Sequence, residues 1–244
     1  MLTIIHGKVA LDVRHQGEIG MYRRVFWVMA LVAAFLIAVL ATYDSSIIRE
    51  PFDGVAPRSP SPVETIPILE RVGADWTLIG ARDEVLNGTR YDASYQIISY
   101  PGGDVSPDRG ACTDVIIRAL RRADIDLQQL IHEDMSREFT AYPQKWGLTQ
   151  PDANIDHRRV PNQMAFFERH GLALTCQVEG HLDEWQWGDI VYWRFDNGDE
   201  HCGIISDLKG RSGRPLVIHN AGLAVEEDCL ERWEIIGHFR YPFS

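Results

Sequence analysis

Apolar side chains recur at helical spacing through much of the first half of the chain. In residues 112–123 (CTDVIIRALRRA), Val115, Ile116, Ala119 and Leu120 fall on one side of a helix and the arginines on the other. Three further segments carry apolar residues at a similar spacing and are also predicted to be helical: 63 into the 80s, 127–139 and 161–170.

In the second half, residues 172–178 alternate with a period of two, and four further short runs are rich in β-branched and aromatic residues; both patterns are typical of strands. Gly, Asn and Asp turns separate these runs, which lie at residues 172–178, 189–195, 202–206, 216–220 and 235–241. Residues 95–100 (YQIISY) in the first half also predict a strand, stopped by Pro101. Helices followed by strands predict an α+β fold, in which N-terminal helices pack on an antiparallel sheet.

One segment near the start has no polar face at all. Residues 25–43 (VFWVMALVAAFLIAVLATY) hold no charge, glycine or proline, and about 20 apolar residues span a bilayer. Arg23 and Arg24 precede the segment, so the rest of the chain is expected outside the cytoplasm. Two interpretations stay open: an uncleaved transmembrane anchor, or a signal peptide cleaved after residues 39–41. Translation from Met21 would make residues 1–20 an upstream artefact.

These patterns predict four regions along the chain. Residues 1–24 form a cytoplasmic N-terminus and residues 25–43 the anchor or signal. Residues 44–62 are rich in proline, which favours an extended tether over helix or strand. Residues 63–244 are predicted to form one globular domain, which we expect in the periplasm or another extracytoplasmic space, held at the inner membrane if the anchor is uncleaved.

Composition and charge exclude some partners. The chain has 24 Lys and Arg against 35 Asp and Glu, a net charge of −11, so no nucleic-acid partner is expected. Its four cysteines are too few for a disulfide scaffold and contain no CxxC pair, which gives a structural zinc site little support. No metal or other cofactor is expected. A disulfide between Cys176 and Cys229 is one open pairing. The oligomeric state is left open as well.

One cysteine and two histidines have positions suited to nucleophilic catalysis. Cys112 opens a predicted helix, whose dipole favours a thiolate and whose first amides can bind an oxyanion. His201 begins one predicted strand and His219 ends the next. A cysteine nucleophile needs an imidazole base, and the base needs a polar group to orient it. The alternative is that Cys112 is a buried structural cysteine and that both histidines have structural roles only.

The order of the motifs strengthens this interpretation. The series YPGGDV, GACTDVIIRAL, WGDIVYW, HCGIISD and VIHNAG resembles the NlpC/P60 branch of the papain-like cysteine peptidases. More closely, residues from about 91 to 241 resemble an uncharacterised bacterial family of unknown function placed in that clan. The resemblance implies a papain-like fold with Cys112 as nucleophile, His201 as base and His219 as orienting residue, with Asn220 as the competitor for the last role.

The sequence departs from the peptidase branch around its cysteine. It has CTD where that branch has DCSG, so Ala111 stands before the cysteine and Asp114 two residues after it. A carboxylate so close to the thiol would raise the thiol pKa or bind a substrate amine. Tyr100 and Asp104, in the YPGGDV motif, are further candidates for orienting or binding a substrate.

A turn-rich segment, residues 142–162, holds the remaining candidates. Asp156, His157, Arg158 and Arg159 are consecutive there, and Trp146 precedes them. Adjacent arginines can clamp a substrate carboxylate. They can equally pair with acidic groups of this acidic domain.

The resemblance implies an exported cysteine hydrolase, a peptidase or amidase that cleaves an amide bond through a Cys–His thioester mechanism. Its expected substrate is a peptidoglycan stem peptide or a related cell-wall peptide. Two alternatives stay open: a non-catalytic wall-binding or assembly module on the same fold, and an acyltransferase that uses the same cysteine. A metal hydrolase is disfavoured, because no two histidines lie at i, i+4 spacing with a carboxylate ligand.

Overall fold

A computed structural model describes residues 60–242 of the chain. The predicted cytoplasmic N-terminus (1–24), the anchor or signal (25–43) and most of the tether (44–62) lie outside the described residues. Within the described range, no helix combines the length and apolarity needed to cross a membrane.

Five α-helices occur in the described range, all of them before the first strand of the main sheet. They are α1 Pro62–Thr65, α2 Gly73–Asn87, α3 Cys112–Arg122, α4 Leu127–Arg137 and α5 Val160–His170, with short 3-10 turns at Ile68–Glu70, Phe139–Ala141 and Asp156–Arg158. The predicted helices α3, α4 and α5 are confirmed. The helix predicted from residue 63 into the 80s is broken, because Ile66 precedes Pro67 and takes an extended conformation with ψ of 125°.

The strands form one large sheet and one small one. Their bounds are β1 Arg90–Tyr91, β2 Arg109–Gly110, β3 Leu172–Ala173, β4 Ile190–Arg194, β5 Glu200–Lys209, β6 Pro215–Asn220, β7 Ala224–Glu227 and β8 Glu234–Arg240. The six-stranded sheet has the order β3-β8-β4-β5-β6-β7, and all its neighbours are antiparallel. The strands β1 and β2 pair in parallel. The predicted α+β class with an antiparallel sheet is therefore confirmed.

Side chains cover both faces of the six-stranded sheet. On one face, Ile116 and Leu120 of α3 pack with Tyr192 and Ile204 of the sheet. On the other face, Trp193 and Ile205 join a second, smaller apolar cluster that includes Trp185 and Leu230. Consecutive residues of a strand point to opposite faces of the sheet. Tyr192 and Trp193 of β4 therefore belong to different clusters, and so do Ile204 and Ile205 of β5.

Some sequence-based predictions of strands were wrong. Residues 95–100 form no strand, since Ile97 is 87% exposed and the Ile98 amide donates to Asn154 Oδ1 at 3.0 Å instead of to another strand. The strand predicted at residues 172–178 is reduced to Leu172–Ala173. The strand β7, which was not predicted, forms the edge of the sheet next to β6.

Candidate functional site

Cys112 is the first residue of α3, and its neighbours fix the start of the helix. Ala111 precedes it in an extended conformation, and the Ala111 amide donates to the Asp114 carboxylate at 2.6 Å. That bond satisfies an amide at the helix entrance. Cys112 itself is only 4% exposed and belongs to the apolar cluster that also contains Cys202 of β5.

The surroundings of Cys112 favour its thiolate form. Hydrogen bonding from the Cys202 side chain, and then from the His201 imidazole, lowers the pKa of the Cys112 thiol to about 5, although burial opposes this shift. Burial raises the pKa of Cys202 well above its ordinary value, so Cys202 remains a protonated donor. The positive end of α3 acts in the same direction on Cys112.

A hydrogen-bonded chain of side chains crosses three neighbouring strands. His201 Nε2 lies 2.9 Å from His219 Nδ1, and His219 Nε2 lies 2.9 Å from Glu227 Oε1. The sheet register explains this, because His219 pairs with Gly203 on β5, and Glu227 is a diagonal neighbour of His219 on β7. A Cβ atom at Gly203 would lie 2.8 Å from Ile218 O and from Val217 Cγ1, and 3.2 Å from His219 Cβ, so β5 and β6 approach each other here through a glycine.

The carboxylate at the end of this chain sets both imidazole tautomers. An ionised Glu227 only accepts hydrogen bonds, so His219 donates from Nε2 and is left with an acceptor at Nδ1. His201 then donates from Nε2, which leaves its Nδ1 to exchange a proton with Cys112. Burial, with the charge of His201 as a second cause, lowers the pKa of His219 and keeps it neutral.

Aromatic rings enclose the two imidazoles. Ring centroids of Trp193 and Trp233 each lie 5.8 Å from that of His201, and Phe195 lies at 5.1 Å. Trp233 also lies 5.9 Å from His219. His201 and His219 are 2% and 1% exposed, so this enclosure keeps water away from the bond between them.

An open groove of about 450 Å³ lies beside His201. Its lining includes Tyr91, Trp146 and Arg159, and Asp199 and Glu200 contribute acidic groups. Burial, followed by the charge of Cys112, raises the pKa of Tyr91 to about 12, so the Tyr91 hydroxyl is neutral and lies within electrostatic reach of the thiol. The groove therefore gives a ligand access to His201, while Cys112 is not among the residues that line it.

Asp114 and Arg158, both predicted as site residues, bind each other. Arg158 donates from Nε and Nη2 to the two Asp114 oxygens at 2.8 Å each. It also donates to the main-chain oxygens of Ser94 and Asp92. Both side chains are almost fully buried, so their polar groups are used inside the fold and not offered to a substrate.

Asp156 and His157 are buried behind the groove. The Asp156 carboxylate accepts from the Asp152 amide at 2.6 Å and from Arg159 Nη1 at 2.8 Å, and burial raises its pKa. Burial, with a smaller effect of the Arg158 charge, lowers the pKa of His157 to about 3. His157 is therefore a neutral core residue, while Asp156 positions the groove residue Arg159.

The structure places the other predicted residues in supporting contacts. Tyr100 packs edge-on against His132 with centroids 4.8 Å apart, and Asp104 pairs with Arg118 and Arg121. Neither lines the groove. Asn220, the competitor of His219 for orienting His201, instead donates to the main-chain oxygens of Thr89 and Gly110, which fastens the loops before Cys112.

The other cysteines do not pair. All four are free thiols, with Cys176 exposed and Cys229 buried, so the disulfide left open between them is not formed. The side chains of His219, Glu227 and Cys229 offer ligand atoms within 4.8 Å of one another. Arg232 already donates both Nη groups to the Glu227 carboxylate, and its positive charge opposes a metal ion at this place.

Sequence reasoning missed Glu227, Tyr91 and Trp233. Glu227 follows His219 by eight positions, and only the turn between β6 and β7 brings them together. Tyr91 lies on the short strand β1, which has no apolar pattern. The sequence has seven tryptophans, but nothing in its pattern indicated that Trp193 and Trp233 would lie beside His201.

The fold and the site together define an α+β domain with a buried cysteine beside a His–His–Glu chain. Residues 78–241 match the family described as Domain of unknown function (DUF1287), and the chain belongs to that family. It is also 52% identical over 163 residues to Uncharacterized protein YijF of Escherichia coli (strain K12), an alignment that covers 66% of this chain and 78% of that protein. No solved structure matches the chain. The predicted membership of a family of unknown function is confirmed.

Proposed function

We propose that this chain is a cysteine hydrolase of the papain-like, NlpC/P60 type, which cleaves an amide bond in a cell-wall peptide. The observation that carries the proposal is the hydrogen-bonded chain His201–His219–Glu227, with His201 acting on the thiol of Cys112 at the start of a helix. A structural histidine needs no second imidazole and carboxylate to fix its tautomer, whereas a general base does.

The reaction would begin with transfer of the Cys112 proton to His201 Nδ1. The thiolate then attacks the amide carbonyl, and main-chain amides at the start of α3 stabilise the oxyanion. The Asp114 amide is not one of them, since it donates to the Ala111 oxygen at 3.1 Å. His201 gives its proton to the leaving nitrogen as the C–N bond breaks, which leaves a thioester on Cys112. Water, deprotonated by His201, hydrolyses the thioester and restores the free thiol.

The substrate class rests on separate grounds. The apolar segment at residues 25–43 predicts export, and an exported bacterial amidase meets the cell wall. The groove beside His201 has room for several atoms of a peptide and polar groups of both signs, as a peptide with free amino and carboxyl groups requires. The partners proposed are thus a cell-wall peptide and, through the N-terminal segment, the inner membrane.

The first test is the pH dependence of Cys112 alkylation by iodoacetamide in the full chain, followed on the peptide that contains Cys112. The rate should rise through a midpoint near the thiol pKa of about 5. In His201→Ala the midpoint should move towards about 8.5, the ordinary value for cysteine. A parent midpoint already near that ordinary value would remove Cys112 from the role of nucleophile.

A second test separates hydrolysis from the two alternatives. Purified stem peptides should be cut by the parent and left intact by Cys112→Ala. Binding of these peptides without products by the parent would favour the wall-binding or assembly module. Transfer of the acyl group to an added amine, with no hydrolysis, would favour the acyltransferase.

A further inference from the structure

Two adjacent arginines occupy very different surroundings, and only one reaches the groove. The Arg158 guanidinium donates to Asp114 and to main-chain oxygens, whereas Arg159 lines the groove together with His201. Within residues 60–242 the Arg159 side chain makes one hydrogen bond, from Nη1 to Asp156 Oδ1 at 2.8 Å, while its main-chain oxygen accepts from Asn162 and Gln163 at the start of α5. Its remaining guanidinium donors are thus available to a ligand in the groove.

The Arg159 guanidinium is also held in a defined orientation. Its central carbon lies 4.0 Å from the ring centroid of Trp146, which is a close cation–π contact. The Asp156 side chain, which is 1% exposed, holds the Nη1 group of the guanidinium, and the Arg159 side chain is only 17% exposed. A planar guanidinium that is already held on an aromatic ring loses little conformational entropy when it binds a carboxylate through two parallel hydrogen bonds.

The helix that follows Arg159 adds to the attraction for anions. The helix α5 starts at Val160, and both Val160 and Pro161 line the groove. The amino end of a helix carries partial positive charge, which favours a negative group near its first turn. Arg159 and this helix end therefore act on the same side of the groove.

Negatively charged side chains also line the groove, and together with Arg159 they favour one orientation of a charged ligand. Asp199 and Glu200 belong to the lining, and Lys145 lies 3.6 Å from Glu200. A carboxylate is repelled by these acidic side chains and attracted to Arg159. Because His201 belongs to the same lining, a carboxylate bound at Arg159 holds the rest of the ligand close to the base.

From these contacts we propose that Arg159, stacked on Trp146, is a carboxylate-binding subsite that selects acidic peptides for the proposed reaction. The inference rests on the proposed function and specifies its substrate. The amide bond to be cleaved would lie close to a free carboxylate of the peptide, and a peptide with this carboxylate amidated would be a poor ligand.

The test uses the full chain carrying Cys112→Ala, so that binding is measured without turnover. Two versions of a cell-wall stem tripeptide are titrated by calorimetry, one with free carboxylates and one with amidated carboxylates. The free form should bind at least about tenfold more tightly, as expected for a charge-assisted hydrogen bond. Adding Arg159→Gln should abolish this preference, and Arg159→Lys should restore part of it.

The matched control is Arg194→Gln, since Arg194 lies outside this groove and pairs with Glu234 on the surface. It should keep the full preference for the free carboxylates. An unchanged preference in Arg159→Gln would overturn the proposal, and so would equal binding or no binding of the two peptides by the Cys112→Ala protein.

Failure of the proposed function would look different. In a chain with Cys112 intact, Arg159→Gln should leave the pH midpoint of Cys112 alkylation where the parent has it. An ordinary midpoint in the parent would refute the nucleophile, whatever peptide binds. Equal binding of the two peptides by the Cys112→Ala protein, together with a low alkylation midpoint in the parent, would refute the subsite alone.

Discussion

Glu227 is two imidazole rings away from the thiol, yet its charge determines how both rings are protonated. Its carboxylate accepts from His219 and is itself held by Arg232, whose Nη1 lies 2.6 Å from Oε1. The neighbouring Arg232 lowers the pKa of Glu227, which keeps the carboxylate ionised. A neutral amide in its place can present either a donor or an acceptor, so it no longer dictates the tautomer of His219.

Glu227→Gln should therefore slow alkylation of Cys112 at pH 6 several-fold and leave the rate at pH 9.5 unchanged. At the higher pH the thiol ionises without help from the imidazole, so a difference confined to low pH reports a raised thiol pKa. Glu234→Gln is the control, because Glu234 is exposed and pairs with Arg194 away from the chain of histidines. Equal slowing at both pH values would indicate a structural effect and contradict this role of Glu227.

The lowered pKa of His157 predicts how the free energy of unfolding depends on pH. Burial lowers its pKa to about 3, against an ordinary value of about 6.5 in the unfolded chain. Between these values the unfolded chain binds a proton that the folded chain refuses, so the stabilising contribution is present above about pH 6.5 and is lost as the pH falls towards 3. The loss at pH 4.5 should be roughly 2–3 kcal/mol.

Urea unfolding at pH 7 and pH 4.5 measures this loss. His157 Nδ1 has no hydrogen-bond partner in the described range, so His157→Leu removes the titrating group without breaking a bond at that atom. The variant should lose less stability on acidification than the parent does. An identical loss in parent and variant would assign the acid sensitivity to other groups.

At the scale of elements, the start of α3 depends on a buried ion pair. Asp114 accepts from the Ala111 amide and from Arg158, and the side chains of both members of the pair are 3% exposed or less. Asp114→Ala removes the acceptor and leaves a buried guanidinium without its partner. Breaking such a pair costs about 3–5 kcal/mol, so the free energy of unfolding in urea should fall by that amount.

The exposed pair of Arg194 and Glu234 is the matched control for Asp114→Ala. Its side chains are 46% and 64% exposed, and Glu234→Ala should cost less than about 1 kcal/mol. The double variant Asp114→Ala, Arg158→Met should recover part of the lost stability, since it leaves no buried charge behind. A loss for Asp114→Ala as small as that of the control would contradict the role assigned to this pair.

Helices were predicted better than strands, and the reason is physical. The helix α3 repeats its apolar residues over eleven positions against a single core, whereas a run such as YQIISY fits a strand only if another strand is available to pair with it. Here Ile98 bonds with Asn154 instead. The positions of Cys112, His201 and His219 could be read from the sequence because each lies at the end of an element or one residue inside it. The contact of Glu227 depends instead on the register of β6 and β7, which no local pattern encodes.

At the scale of the whole molecule, one arginine joins parts of the chain that are distant in sequence. Arg82 of α2 donates to Ser61 before α1, to Ser206 and Asp207 on β5 and to Glu226 on β7. The Val63 amide donates to the same Asp207 carboxylate at 2.7 Å. The first turn of the domain is thus fastened to the sheet through a single network of charges.

Arg82→Met should loosen the whole domain, because it leaves two carboxylates without their cation and the Asp207 side chain is 0% exposed. We expect a loss of about 3–5 kcal/mol in the free energy of unfolding, measured in urea. Native-state hydrogen exchange should show faster exchange of the Val63 amide in particular.

The control is Arg109→Met. The Arg109 side chain is 54% exposed and lies 3.7 Å from each of its two carboxylate partners, so the expected loss is below about 1 kcal/mol. If Arg82→Met unfolds like this control and Val63 keeps its protection, the network does not fasten the N-terminal turn, and the apolar contacts of Val63 alone must hold it there.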